Sequence, residues 1–228
     1  MMKKVLKNNY RYLVITVILI IITTCIMKSD LYNSILNFDY KIINSVSYII
    51  NTYYTSFFRA LTNFGDFYIP IMVIVCILIF IKNKKYFYII TSGYAFAGLI
   101  VFISKTIIQR PRPLEALIEI PKSFSFPSGH TLTSIVFYIT LWYLLTYKSA
   151  KKTKIITFIL TVLIVILIGM SRIYLGVHYF SDVIGGIILA LPILFMIINI
   201  SKKVLRWFYE RFSIRRRRSK RCLSSRCD

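Results

Sequence analysis

Acidic residues are scarce in this chain: 8 Asp and Glu stand against 30 Lys and Arg in 228 residues, a formal net charge of +22. Charged residues of either sign make up only 17% of the sequence, while 57% is hydrophobic and 16% aromatic. So little polar surface excludes an ordinary soluble domain of this size, because much of a soluble fold's surface must be polar. In a soluble protein the basic excess would point to nucleic acid. Here the basic residues flank apolar runs, where membrane topology and attraction to anionic headgroups account for them, and no nucleic-acid partner is expected.

Cysteine is too sparse for a disulfide framework. Cys25 and Cys76 lie in apolar runs and Cys222 and Cys227 in a basic tail. A C-x4-C pair with no histidine beside it lacks the four ligands of a structural zinc site, so no metal is expected there. No internal repeat and no soluble domain boundary is visible. The first apolar run lacks a small-x-small cleavage site and is read as an uncleaved helix.

What is present is a series of apolar runs. Six spans are expected, at about 12–27, 64–81, 86–104, 130–147, 155–170 and 179–200, in an all-α membrane bundle. Several are shorter than the roughly 20 residues that cross a bilayer, so flanking polar residues must complete them. Segments 1–11, 82–85, 148–154 and 201–228 carry 22 of the 30 Lys and Arg. The positive-inside rule therefore places both termini in the cytoplasm and turns 28–63, 105–129 and 171–178 outward. Ile42, Ile43, Val46, Ile49, Ile50, Tyr53, Phe57 and Leu61 recur at helical spacing between the first two spans. They predict an amphipathic helix, either in the outer interface or packed on the bundle. Residues 1–200 form the membrane domain, and 201–228 a basic cytoplasmic tail without fixed structure.

The outward segments concentrate the chain's unusual polar residues, including both histidines. One reads from Lys105 through Arg112-Pro113 to Pro127-Ser128-Gly129-His130, the other from Ser171-Arg172 to His178 and Asp182. Lys105, Arg112 and Arg172 are cations at the ends of apolar spans, where charge is costly without a partner. In sequence, the nearby acids are Glu115, Glu119 and Asp182. Cations short of counter-ions suit an anion, and guanidinium forks fit phosphate oxygens. Ser128-Gly129-His130 opens a helix, whose free N–H groups donate to the same kind of ligand. His178 and Asp182 share a helical face, so the carboxylate can bind one imidazole nitrogen and leave the other for nucleophilic attack. His130 is then available as general acid.

These residues fall into Lys-x6-Arg-Pro, Pro-Ser-Gly-His and Ser-Arg-x5-His-x3-Asp, and in all three the chain resembles the type 2 phosphatidic acid phosphatases. The likeness extends over about residues 36–200. It implies a metal-independent, cofactor-free membrane phosphatase that works through a phosphohistidine. On that pattern His178 is the nucleophile, His130 the acid and Asp182 the orienting carboxylate. Lys105, Arg112, Ser128, Gly129 and Arg172 bind phosphate, and the six-residue spacing selects Arg112 over Arg110. Ser171 belongs to the motif without an assigned role.

The expected partners are the bilayer and a membrane lipid phosphate; nothing in the sequence fixes an oligomeric state. The resemblance implies undecaprenyl diphosphate, phosphatidylglycerol phosphate or phosphatidic acid as substrate. An Ile-, Lys- and Asn-rich composition, typical of AT-rich bacterial genomes, favours the first two. A catalytically silent lipid-phosphate binder or transporter and a lipid phosphotransferase are the alternatives. Only 13 residues, 114–126, separate Pro113 from Pro127, which leaves no room for a large lid domain.

Overall fold

A computed structural model describes residues 9–81 and 84–224, with side chains as far as Arg206. The described residues are all-helical, with no strand. Eight α-helices follow one another: α1 (Tyr10–Met27), α2 (Leu31–Ser47), α3 (Thr52–Thr62), α4 (Tyr68–Phe80), α5 (Lys85–Ile108), α6 (Gly129–Thr146), α7 (Lys151–Tyr174) and α8 (Phe180–Ser224). A 3-10 turn, Asn63–Gly65, lies between α3 and α4.

Among the described residues, four helices are long and apolar enough to cross a membrane: α1, α5, α7 and the part of α8 up to Arg206. The pair α3–α4, with the 3-10 turn between them and a bend of 45°, makes a fifth candidate when taken as one broken span. Alone, the 13 residues of α4 rise only about 20 Å, short of a hydrocarbon core of about 30 Å. Many apolar side chains of these helices face outward, among them Val17, Ile21, Phe102 and Ile159. That is an arrangement for lipid solvent, and the chain is a multi-pass membrane protein.

Helix α6 is the centre of the bundle and packs against α5, α7 and α8. Its position explains its composition. Thr131, Ser134 and Thr140 are buried between helices rather than turned to lipid, and α6 is not among the helices that are candidate spans by length and composition. Leu132, Val136, Phe137 and Leu144 form the core with Ile90 and Ala97 of α5 and Leu189, Ala190 and Ile193 of α8. Lipid gives no hydrophobic drive for one apolar helix to leave it for another, so close packing over small residues must hold the bundle together. Gly185 of α8 shows this: a Cβ there would lie 2.3 Å from the Phe126 ring, so only glycine lets the 109–128 loop seat on α8.

Two expectations need correction. The predicted amphipathic helix is not continuous: α2 and α3 are separate, because Asn51 caps α3, its Oδ1 accepting the Tyr54 N–H at 2.9 Å. Of the acids expected to meet the buried cations, Asp182 does so, while its fellow partners are Asp39 and Asp66 from earlier in the chain rather than Glu115 and Glu119. The expected unstructured tail falls largely on residues whose side chains or backbone lie outside the described set, Cys222 and Cys227 among them; the backbone that is described continues helical to Ser224.

Candidate active site

Three chain segments converge where α5 ends and where α6 and α8 begin. Helix α5 stops at Gln109, which takes a left-handed conformation (φ 52°) and donates its N–H to the Lys105 carbonyl. The chain thereby turns into the 109–128 loop. Ser128 is the N-cap of α6, and its N–H donates to the Asp182 carbonyl at 3.0 Å, tying the start of α6 to the start of α8. Helix α7 ends just past Arg172, whose carbonyl accepts the N–H groups of Val177 and His178 at 3.2 and 3.3 Å. The return needs Gly176, which has φ +68° and sits so close to the 109–128 loop that a Cβ would lie 2.3 Å from the Glu115 carbonyl oxygen.

His178 is buried, with 2% of its surface exposed. Its Nε2 lies 3.3 Å from Arg112 Nη1, and its Nδ1 lies 3.4 Å from both Asp182 Oδ2 and Ser125 Oγ. A guanidinium only donates, so Nε2 carries the lone pair and the ring proton sits on Nδ1, towards the carboxylate. Burial pushes the His178 pKa down to about 3 against the opposing pull of Asp182, so the ring is neutral.

Asp182 is fully buried and saturated with donors. Oδ2 accepts from the Tyr179 N–H at 2.9 Å and from the Ser125 hydroxyl, besides facing His178. Oδ1 accepts from Arg110 Nη1 at 2.6 Å.

Arg112 also donates to the carbonyls of Ser123 at 2.7 Å and Val177 at 2.6 Å, and to Ser123 Oγ at 3.1 Å. Burial lowers its pKa, opposed by Asp182. Lys105 reaches the same loop, through Ser123 Oγ and the Phe124 carbonyl. Arg112 and Lys105 therefore share one wall and bind neutral carbonyls and a hydroxyl there. Such partners leave positive charge uncompensated, as an anion pocket requires.

Arg172, His130 and Asp66 form a second group of charged and titratable side chains at the junction. Arg172 is buried and donates to Thr62 Oγ1 at 2.6 Å. His130, at the first turn of α6, places Nε2 2.9 Å from Asp66 Oδ1. Ser128 turns its hydroxyl to its own helix, accepting from the Thr131 hydroxyl at 2.9 Å. Gly129 follows as the first residue of α6, where backbone N–H groups have no partner within the helix. Ser171 is fully buried and its hydroxyl donates to the Ile168 carbonyl at 2.6 Å, a bond within α7.

Lys105, Arg112, Ser128, Gly129, His130, Arg172, His178 and Asp182 all lie on the segments that meet at this junction, but several of their partners were not foreseen. Arg110, passed over for Arg112, is buried in ion pairs with Asp39 and Asp182. Asp66 and Thr62 come from the break between α3 and α4, and Ser125 from the loop before α6. With only eight acids in the chain, Asp39 and Asp66 in otherwise apolar or neutral stretches were the signal that could have found two of them. Among the described residues no group of three or more His, Cys, Asp and Glu is placed to hold a metal ion.

Residues 86–206 match the family model described as the PAP2 superfamily. The phosphatidylglycerophosphatase B of Bacillus subtilis is 29% identical over 180 residues, which cover 77% of this chain and 89% of that protein. The undecaprenyl-diphosphatase of Sulfolobus acidocaldarius is 30% identical over 146 residues, 61% of this chain and 67% of the relative. Among solved structures, a transmembrane PAP2-type phosphatidylglycerolphosphate phosphatase from Bacillus subtilis superposes with a TM-score of 0.74 at 25% identity, covering 86% of this chain and 96% of that one. The LpxE of Aquifex aeolicus superposes with a TM-score of 0.55 at 26% identity, covering 72% and 93%.

Proposed function

We propose, from the premise that this chain belongs to the PAP2 superfamily, that it is an integral-membrane phosphatase that hydrolyses a lipid phosphate through a phosphohistidine at His178. The observation that carries this reading is the orientation of that ring. A neutral imidazole presents the Nε2 lone pair beside the Arg112 guanidinium, while a buried carboxylate faces the proton on Nδ1. A phosphate held against Arg112 would lie next to Nε2 and could take over the Arg112 donor that now faces that lone pair.

The reaction proceeds in two displacements. Nε2 of His178 attacks phosphorus, an N–P bond forms, and the bond to the leaving oxygen breaks. The ring becomes positively charged, and Asp182 stabilises it across the Nδ1–H contact. Lys105, Arg112 and Arg172 neutralise the phosphoryl oxygens, with backbone N–H groups at Ser128-Gly129 adding donors. His130 supplies the proton to the leaving oxygen. Asp66 Oδ1 at 2.9 Å occupies Nε2, which leaves the other nitrogen for the leaving group. Water then loses a proton to His130 and attacks phosphorus, the N–P bond breaks, and phosphate departs.

The lipid is undecaprenyl diphosphate or phosphatidylglycerol phosphate, the classes named by the relatives. If α6 and the bent α3–α4 pair cross with the four candidate spans, the total is six, and the basic residues near the termini support a cytoplasmic side for both and a site on the outer face of a bacterial membrane. The test is phosphate release by the purified protein from both lipids, from phosphatidic acid and from a soluble phosphate ester, with and without excess chelator. Release that survives chelation and is lost in His178→Ala supports the reading. No release from any of the four by folded protein sinks it and favours a silent lipid-phosphate binder; transfer to an added alcohol in place of water identifies a phosphotransferase.

A further inference from the structure

Beside the candidate site, and joined to it through Asp182, lies a buried charge network that the proposed phosphate binding does not use. Arg110 is 2% exposed and its guanidinium bridges two carboxylates: Nη2 donates to Asp39 Oδ2 at 2.7 Å and Nη1 to Asp182 Oδ1 at 2.6 Å. Nη1 also donates to Ser181 Oγ at 2.7 Å, and the guanidinium lies 4.2 Å from the centre of the Tyr179 ring. Asp39 in turn accepts the Ser181 N–H at 2.9 Å and the Ser181 hydroxyl at 2.5 Å. Burial alone would lower the Arg110 pKa, but Asp182 and Asp39 outweigh it and raise it, so the fork remains charged.

Both terminal nitrogens of Arg110 are committed and the side chain has almost no exposed surface, so although its buried Nε–H has no partner, the guanidinium is closed off from a substrate phosphate. A single cation of any shape would balance Asp182. What the planar fork adds is geometry, because one nitrogen to each carboxylate fixes their separation and orientation. Asp182 has its other oxygen towards His178 Nδ1, so a rotation of the carboxylate that weakens the Arg110 contact also moves Oδ2 off the ring. Asp39 holds the far side of the fork and is the buried residue of α2, a helix that is otherwise half-buried or exposed.

We propose that Arg110 and Asp39 are positioning residues that lock the Asp182 carboxylate, and through it the His178 ring, so that a competent nucleophile requires α2 to be seated. The proposal rests on the reading of His178 as nucleophile. It explains why an acid on a peripheral amphipathic helix is buried completely, and why the arginine two residues before Arg112 is turned away from the phosphate pocket.

The test uses the two histidines of the chain as reporters. Nitrogen-15 histidine NMR of the detergent-solubilised full chain gives the tautomer of His178 directly, with His178→Gln assigning the signal. The wild type should show one Nδ1–H tautomer. Asp39→Asn and Arg110→Lys should each populate the Nε2–H form and lower kcat roughly tenfold or more, with KM within about twofold, the pattern expected when an orienting partner behind a reactive group is lost. Ser181→Ala keeps both ion pairs and should cost less, so it remains informative if the charge variants do not fold. A purely structural clamp would lower the unfolding midpoint while leaving the tautomer and the kcat of folded protein unchanged, and that result in Asp39→Asn and Ser181→Ala overturns the proposal. A tautomer that responds to the variants in a protein that hydrolyses none of the lipid phosphates supports the clamp and removes the proposed function.

Discussion

Arg112 Nη1 lies 3.3 Å from His178 Nε2, and the same nitrogen donates to the Val177 carbonyl at 2.6 Å. One guanidinium therefore fixes the loop that carries the proposed nucleophile and marks where the phosphoryl group must sit. A lysine keeps the charge but cannot donate in parallel to Val177, to the Ser123 carbonyl and to a phosphate oxygen. Arg112→Lys is expected to lower kcat/KM by about 100-fold, a loss of about 2.7 kcal/mol in transition-state stabilisation. Steady-state kinetics on a lipid phosphate in mixed micelles measures it, and a loss under threefold would show that Arg112 contributes charge alone.

Acid should destabilise the protein through His178 before it silences the nucleophile. The folded pKa is pushed down to about 3, below the ordinary value of about 6.5 in an unfolded chain. Between those values the unfolded state binds the proton and the folded state does not, so stability rises with pH across this window. Lowering the pH from 6.5 towards 3 therefore lowers the unfolding midpoint, with little further loss from this group below 3. His178→Gln has no proton to bind and should flatten that part of the profile, read by thermal unfolding in detergent at a series of pH values. An unchanged slope in the variant would place the acid sensitivity elsewhere.

The bundle's helices and the polar residues gathered at their ends were legible because each leaves a local mark. Apolar runs near the length of a bilayer mark α1, α5 and α7, and the Lys105, Arg112, His130, Arg172, His178 and Asp182 spacings mark the junction. The break between α2 and α3 was harder to see, since the apolar spacing continues from Ile42 to Leu61 and only the capping role of Asn51 ends the register. Ion pairs were least legible. Arg110 pairs with Asp39 across 71 residues and His130 with Asp66 across 64, and no local pattern encodes contacts that only the packed bundle creates.

Asp66 beside His130 predicts a dependence on the leaving group. A general acid matters most where the departing oxygen is a strong base, as in an alkyl phosphate, and little where it is already stable as an anion. Asp66→Asn keeps a hydrogen-bonding partner but no longer favours the protonated ring. Its kcat/KM should fall by roughly tenfold or more on an alkyl phosphate and by less than about threefold on an aryl phosphate with an electron-withdrawing group. Equal losses on both substrates would assign Asp66 to holding the fold around the α3–α4 break.

Gly176 tests whether the loop carrying His178 has any freedom of its own. Two independent constraints meet there: the backbone is left-handed at φ +68°, and a Cβ would lie 2.3 Å from the Glu115 carbonyl oxygen. The first costs an L-residue about 1 kcal/mol. The second adds more, because the contact is with backbone that cannot swing aside as a flexible side chain would. Leu117 donates its N–H to the Leu175 carbonyl at 3.0 Å, so displacing the 114–120 segment also loosens the turn before His178. Gly176→Ala should therefore destabilise the protein by about 2 kcal/mol or more and reduce kcat in the fraction that stays folded. Thermal unfolding together with kinetics separates the two effects. If the midpoint falls but kcat per folded molecule is kept, the contacts to Arg172, Arg112 and Asp182 hold His178 without help from this loop.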